Sequence, residues 1–235
     1  MSTQWINVTN SDGDTFDAYL ALPPTGEGPG LVLIQEIWGV NAHIRTLAEQ
    51  YALDGFVVLA PDVFWRQERR VDLPYDKQGS EKAFSLVKAT DAEKNGADMA
   101  ATVAHLRNLE QVTGKVGVMG FCFGGQLAYR AAATGKPDAA VSYYGGGTHN
   151  HLGLATDVRQ PILFHFGAED PMIPTEAVDS IRQALAHNDQ AQFHVYPGAD
   201  HGFNCWGRPS YHQKAAALAH GRTLEFLATH LSLGA

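Results

Sequence analysis

Cysteine is scarce in this chain. Of 235 residues only Cys122 and Cys205 carry a thiol, so no disulfide framework is on offer. A chain of this length with 45% apolar residues has enough core not to need a bridge, and two free thiols are expected. Long apolar runs are missing too: nothing approaches the ~18 consecutive residues that span a bilayer. The opening segment, MSTQWINVTNSDGDTF, has neither the basic start nor the apolar stretch of a secretory signal. Positive charge is in the minority, with 17 Lys and Arg against 25 Asp and Glu, a formal net charge of −8. That balance disfavours nucleic acid and anionic membranes as partners. Repeats, low-complexity tracts and long Gly/Ser-rich linkers are absent as well. These absences point to a cytoplasmic protein folded as one domain over residues 1–235.

What is present is an alternation of short apolar runs and longer amphipathic ones. Trp5–Thr9 and Phe16–Leu22 read as two strands joined by a turn around Asn10–Asp14. Leu31–Gln35, Phe56–Ala60, Val116–Gly120, Ala139–Tyr143, Ile162–Phe166 and Gln192–Tyr196 read as further strands. Helical spacing falls at Ala42–Leu53, Ala92–Leu109, Gly124–Ala133, Thr175–His187 and 210–231. Such alternation predicts an α/β fold: a mostly parallel twisted sheet, helices on both faces, and the opening hairpin as an antiparallel edge. Ligands then bind beyond the carboxyl ends of the strands, so the residues after each apolar run carry the functional information.

The run Val116–Met119 leads into Gly120-Phe121-Cys122-Phe123-Gly124-Gly125, a glycine-flanked nucleophile between strand and helix. A nucleophile on so sharp a turn needs neighbours without side chains. The amino end of the following helix then favours thiolate. A Gly-rich turn that merely packs tightly, with Cys122 as a small buried hydrophobe, is the blander alternative. Two later loops tilt the balance. Gly167-Ala168-Glu169-Asp170-Pro171 follows one strand, and Pro197-Gly198-Ala199-Asp200-His201-Gly202-Phe203 follows another. The order nucleophile, acid, histidine suits a site in which His201 moves the thiol proton and Asp170 orients the imidazole. Asp200 and Glu169 compete for the acid's role. Asp170 is preferred because Asp200 adjoins the histidine, and adjacent side chains diverge.

Glu36 ends another apolar run, where a carboxylate is costly to bury unless protonated or paired. Its blander role is that of a structural hydrogen-bond acceptor; the sharper one is to hold the resting thiol of Cys122. The N–H groups of Ile37 and Phe123 are the expected oxyanion hole. His149 and His151 lack a carboxylate partner in sequence and read as plain loop residues, so no metal site is expected.

With GFCFGG, AEDPMIP, GADHGF, QEIWGVN, SDGDTFDAYLALP and APDVFWRQ in hand, the chain resembles the dienelactone hydrolase (carboxymethylenebutenolidase) family over nearly its whole length. The resemblance implies a monomeric α/β-hydrolase without metal or organic cofactor, acting on a small ester or lactone substrate. It implies Cys122, Asp170 and His201 as the triad, a thioester intermediate, and Glu36 as the partner that substrate displaces from the thiol. Dienelactone-specific members clamp the substrate carboxylate with arginines, one just past the histidine and one near Ser80. Here Asn204-Cys205-Trp206-Gly207 precedes Arg208, and Gly79-Ser80-Glu81 holds no arginine. Arg208, or else Arg66, Arg69 and Arg70, are the candidate replacements. Trp38, Tyr143, Tyr144, Phe203 and Trp206 are candidates for an apolar pocket. A general small-ester esterase or thioesterase, and a silent binding protein of the same fold, are the alternatives.

Overall fold

A computed structural model of the chain describes residues 1–232. Its opening hairpin, β1 (Ser2–Thr9) and β2 (Thr15–Leu22), is closed by Asn10, whose side-chain oxygen accepts from the N–H groups of Asp12 and Asp14 at 3.0 Å each. Gly13 completes this turn at φ 85°. The remaining strands are β3 (Gly28–Ile34), β4 (Val57–Pro61), β5 (Val112–Phe121), β6 (Ala139–Tyr143), β7 (Ile162–Gly167) and β8 (Ala191–Tyr196). They form one eight-stranded sheet in the order β1-β2-β4-β3-β5-β6-β7-β8. The pairings β1/β2 and β2/β4 are antiparallel and all others parallel, which is the predicted mostly parallel sheet with an antiparallel edge.

Helices α1 (Ala42–Leu53), α2 (Lys77–Lys88), α3 (Ala92–Arg107), α4 (Phe123–Thr134), α5 (Thr175–Ala184) and α6 (Gln213–Leu231) connect the strands. One layer contains α3 and α4, with α4 touching the 3₁₀ segment Thr148–Asp157 that also meets α5. The other contains α1 and α6, joined where His220 Nδ1 meets the Tyr51 hydroxyl at 3.3 Å. The central strands are buried on both faces, which is why they read as unbroken apolar runs. Helix α2 has no counterpart in the predicted spacing. Only Gly79, Ala83 and Leu86 of its twelve residues are buried, too narrow a stripe to show as periodicity.

The strand order has one consequence for function. From β3 the chain turns one way, through α1 to β4; β5, reached through α3, lies on the other side of β3. The carboxyl ends of β3 and β5 therefore flank a switch point, with Ile34 in register with Gly120. Glu36–Trp38 and Cys122 follow immediately.

Candidate active site

Cys122 occupies a backbone conformation that L-residues rarely adopt, φ 55° and ψ −116°. A strain of about 1–3 kcal/mol is typical of such a residue, and the surroundings hold it in place. Its N–H donates to the Tyr143 carbonyl at 3.0 Å, and its own carbonyl accepts from Gly125 at 2.9 Å and Gln126 at 3.2 Å. The flanking glycines are dictated by contact. A Cβ on Gly120 would stand 2.0 Å from the Gly124 carbonyl oxygen, and one on Gly124 would stand 2.4 Å from the oxygens of Ile34 and Gln35.

Two further strand ends complete the geometry. The loop after β8 brings His201 Nε2 to 3.0 Å from Cys122 Sγ, and the loop after β7 brings Asp170 Oδ2 to 2.8 Å from His201 Nδ1. All three side chains are buried. Asp170 Oδ1 accepts from the Met172 N–H at 2.8 Å, which fixes the carboxylate in the loop. The competing acids are placed elsewhere: Asp200 accepts from the backbone N–H of His201 and Glu169 is exposed. Burial pulls the His201 pKa down, but the neighbouring Cys122 sulfur and Asp170 carboxylate outweigh it and carry it up to about 10. The geometry suits proton exchange between the thiol and the imidazole.

The N–H groups of Ile37 and Phe123 donate no hydrogen bond among the described residues. Both therefore remain available beside the thiol-bearing turn.

Glu36 corrects one expectation. Its Oε1 accepts from Arg208 Nη1 at 3.1 Å, while the Cys122 sulfur faces His201. The physical reason is charge. Burial raises the Glu36 pKa and the cations Arg208 and His201 oppose that rise, so a guanidinium is a better partner than a thiol already engaged by imidazole. Arg208 in turn lies over the Trp38 ring, 4.9 Å from its centroid. It reaches Glu36 across Gly202, where φ is +81° and a Cβ would meet Nη1 at 1.9 Å.

The aromatic candidates divide. Trp38 borders the Glu36–Arg208 pair, and Trp206 sits at the rim, 47% exposed, with its ring 4.1 Å from that of His43. Tyr143 and Phe203, expected in the pocket wall, are instead fully buried. The Tyr143 hydroxyl bonds Thr223 Oγ1 at 2.6 Å, and Phe203 packs between Tyr144 and Tyr196 at 5.2 Å from each. Each belongs to a tightly packed aromatic core, which apolar composition alone does not distinguish from a pocket wall. The other candidate arginines are occupied: Arg66 pairs with buried Asp98, and Arg69 and Arg70 both pair with Asp17. Ser80 bonds the Asp76 carbonyl within α2.

Tyr144, also an aromatic candidate in the sequence, lies beside the histidine. Its ring meets that of His201 edge-on at 5.3 Å, its backbone sits at φ 35°, and its buried hydroxyl has no partner. Sequence spacing did not reveal His43 and Tyr75, which are buried and half-buried near Trp38 without polar partners. A histidine on an apolar helix face reads as core.

Comparison with known proteins gives the following. A family model described as "Dienelactone hydrolase family" matches residues 16–231. The chain is 37% identical over 229 residues to a carboxymethylenebutenolidase of Pseudomonas putida, covering 97% of each chain. It is 32% identical over 229 residues to carboxymethylenebutenolidase 1 of Cupriavidus pinatubonensis, again covering 97% of each. Among solved structures, a provisionally named dienelactone hydrolase from Klebsiella pneumoniae superposes with a TM-score of 0.82 at 30% identity, covering 97% of this chain and 99% of that one.

Proposed function

Because the chain belongs to the dienelactone hydrolase family and is a hydrolase of esters or lactones, we propose that Cys122 is its nucleophile, His201 its proton carrier and Asp170 the group that orients the imidazole. The observation that carries this reading is the unbroken line from Cys122 Sγ to His201 to Asp170, at 3.0 and 2.8 Å. In this scheme the thiolate attacks the carbonyl carbon and the N–H groups of Ile37 and Phe123 receive the oxyanion. The tetrahedral intermediate collapses with cleavage of the C–O bond. The departing oxygen takes the proton of His201, leaving a thioester on Cys122. His201, now neutral, draws a proton from water as it attacks the thioester, and the thiolate is released with the acid product.

Substrate choice falls to Arg208 and Trp38. In the resting protein Glu36 pairs with Arg208. A small lactone or ester bearing its own carboxylate competes with Glu36 for that guanidinium, and the acyl group lies against Trp38. A general small-ester hydrolase is the second reading, favoured by the lack of any arginine near Ser80. We read the protein as a cytoplasmic, monomeric enzyme of one domain; its one continuous sheet supports the single domain, and its net charge of −8 disfavours nucleic acid and anionic membranes as partners.

The test is a panel of paired lactones and aryl esters, with and without a free carboxylate, assayed on the wild type and on Cys122→Ala. Equal turnover by the two proteins rules out the thiol mechanism. Equal KM across each pair rules out Arg208 as the anion partner.

A further inference from the structure

Behind Glu36 lies a second group of donors that hydrolysis by Cys122 leaves unused. His43, the second residue of α1, is 5% exposed, and neither of its ring nitrogens has a partner. The Cys205 thiol is fully buried. The second carboxylate oxygen of Glu36 is buried without a partner as well. One donor atom each from Glu36, His43 and Cys205 lie within 4.8 Å of one another. Unsatisfied polar atoms are rare inside proteins, and several at one point ask for a common ligand. His149 and His151 join no such group among the described residues.

We propose that Glu36, His43 and Cys205 form an inhibitory site for a divalent cation of the zinc class. An imidazole nitrogen, a thiolate sulfur and a carboxylate oxygen together select a borderline-soft ion and disfavour magnesium or calcium, which take oxygen ligands. Zinc–nitrogen and zinc–sulfur bonds of ~2.0 and ~2.3 Å place tetrahedral donors roughly 3.3–3.6 Å apart. The three side chains must therefore draw inward, with water in the fourth position. On binding, a sulfur–metal bond forms and the Cys205 proton leaves to solvent, with no change of oxidation state. Glu36 and the Cys205 thiolate together balance the divalent charge. Arg208 opposes the ion and gives up its partner to it; its side chain is 17% exposed and has a path to solvent. That opposition makes the site a responsive one, filled when the cation is plentiful. Metal binding does not depend on the role given to Cys122. The inhibition rests on that reading, because an Arg208 driven out to solvent by the ion no longer receives the substrate's carboxylate.

Cobalt(II) replaces zinc as a spectroscopic probe. One equivalent added to the full chain is expected to give a thiolate-to-cobalt charge-transfer band, which zinc displaces and EDTA abolishes. Zinc is expected to raise KM for carboxylate-bearing esters and EDTA to restore it. Cys205→Ser removes the band, Cys122→Ser keeps it, and Cys205→Ser and His43→Gln each weaken zinc binding roughly tenfold or more. Arg208→Gln tightens it. A missing band overturns the site, as does a band that survives Cys205→Ser but vanishes in Cys122→Ser, which would put the metal on the nucleophile. Should Cys205→Ser fail to fold, unchanged zinc affinity in His43→Gln overturns it equally. Tight binding without inhibition overturns only the inhibitory role.

Discussion

The guanidinium of Arg208 fills the space that a side chain on residue 202 would take, since a Cβ on Gly202 would stand 1.9 Å from Nη1. His201 and Gly202 are neighbours, so the proposed proton carrier and the residue that makes room for the proposed anion-binding arginine share one turn. Gly202→Ala is expected to expel Arg208 from Glu36 and to strain a backbone at φ +81°. A loss of about 1–3 kcal/mol in stability should accompany a KM that rises for carboxylate-bearing substrates and not for neutral ones. Thermal melting together with separated kcat and KM values checks both parts.

Removing the thiol should stop turnover while leaving the fold intact. Cys122→Ala is expected to lower kcat by roughly 10³-fold or more on lactones and aryl esters alike. Alanine still has to hold φ 55°, so its melting temperature is the control. Rapid mixing of wild type with a chromogenic ester should also show a burst of one equivalent, the signature of a thioester that forms faster than it hydrolyses.

The pH profile carries the sign of the His201 environment. Burial lowers its pKa, but Cys122 and Asp170 raise it to about 10, so the imidazolium persists up to that pH and is lost above it. Protonation of the departing oxygen needs the imidazolium, so kcat/KM should fall on an alkaline limb near pH 10. For stability the direction is the same: a raised histidine pKa stabilises the fold below the unfolded value near 6.5, and that contribution fades as pH climbs through about 10. Asp170→Asn removes one of the groups raising it. Its alkaline limb should move to lower pH and its kcat should drop by about 10²–10⁴-fold. A limb that stays in place would remove Asp170 from this role.

A prediction about stability alone concerns Asp98 on α3. It is 2% exposed and takes hydrogen bonds from Asn10 at 3.2 Å and Trp65 at 2.9 Å, besides its ion pair with Arg66. It thus ties the opening hairpin and the loop after β4 to one helix. Asp98→Ala strands those donors and should cost about 2–4 kcal/mol, read by denaturant titration, with KM unchanged.

How much of this was legible in sequence depended on whether the deciding interaction was local. The elbow was legible because its glycines are excluded from having side chains by atoms within the same turn and the adjoining β3, and that leaves a pattern in six residues. Asp170 was preferred over Asp200 by a local argument about diverging neighbours, and its carboxylate is the one that meets His201. The Glu36–Arg208 pair was not legible, because it joins residues whose nearness is created by the sheet and by the missing side chain of Gly202. Tyr143 and Phe203 were misread because an aromatic residue near a strand end is apolar whether it faces a pocket or the core. Helix α2 was passed over for want of an apolar stripe, although Asp76 caps it by accepting from the Gly79 N–H at 2.7 Å.

The switch point between β3 and β5 separates two kinds of heritable change. The proposed nucleophile and both proposed N–H donors hang from the paired strands in the middle of the sheet, where nearly any substitution disturbs packing. His201, Cys205, Trp206 and Arg208 hang from a single excursion between β8 and α6 at the sheet's far edge. Cys122 and the N–H groups beside it are thereby inherited apart from Trp206 and Arg208, while His201 travels with the second stretch. Randomising residues 203–211 in the laboratory should redirect which esters are accepted while the bond-breaking apparatus passes through untouched, and a library confined to that stretch is the economical way to retune this protein.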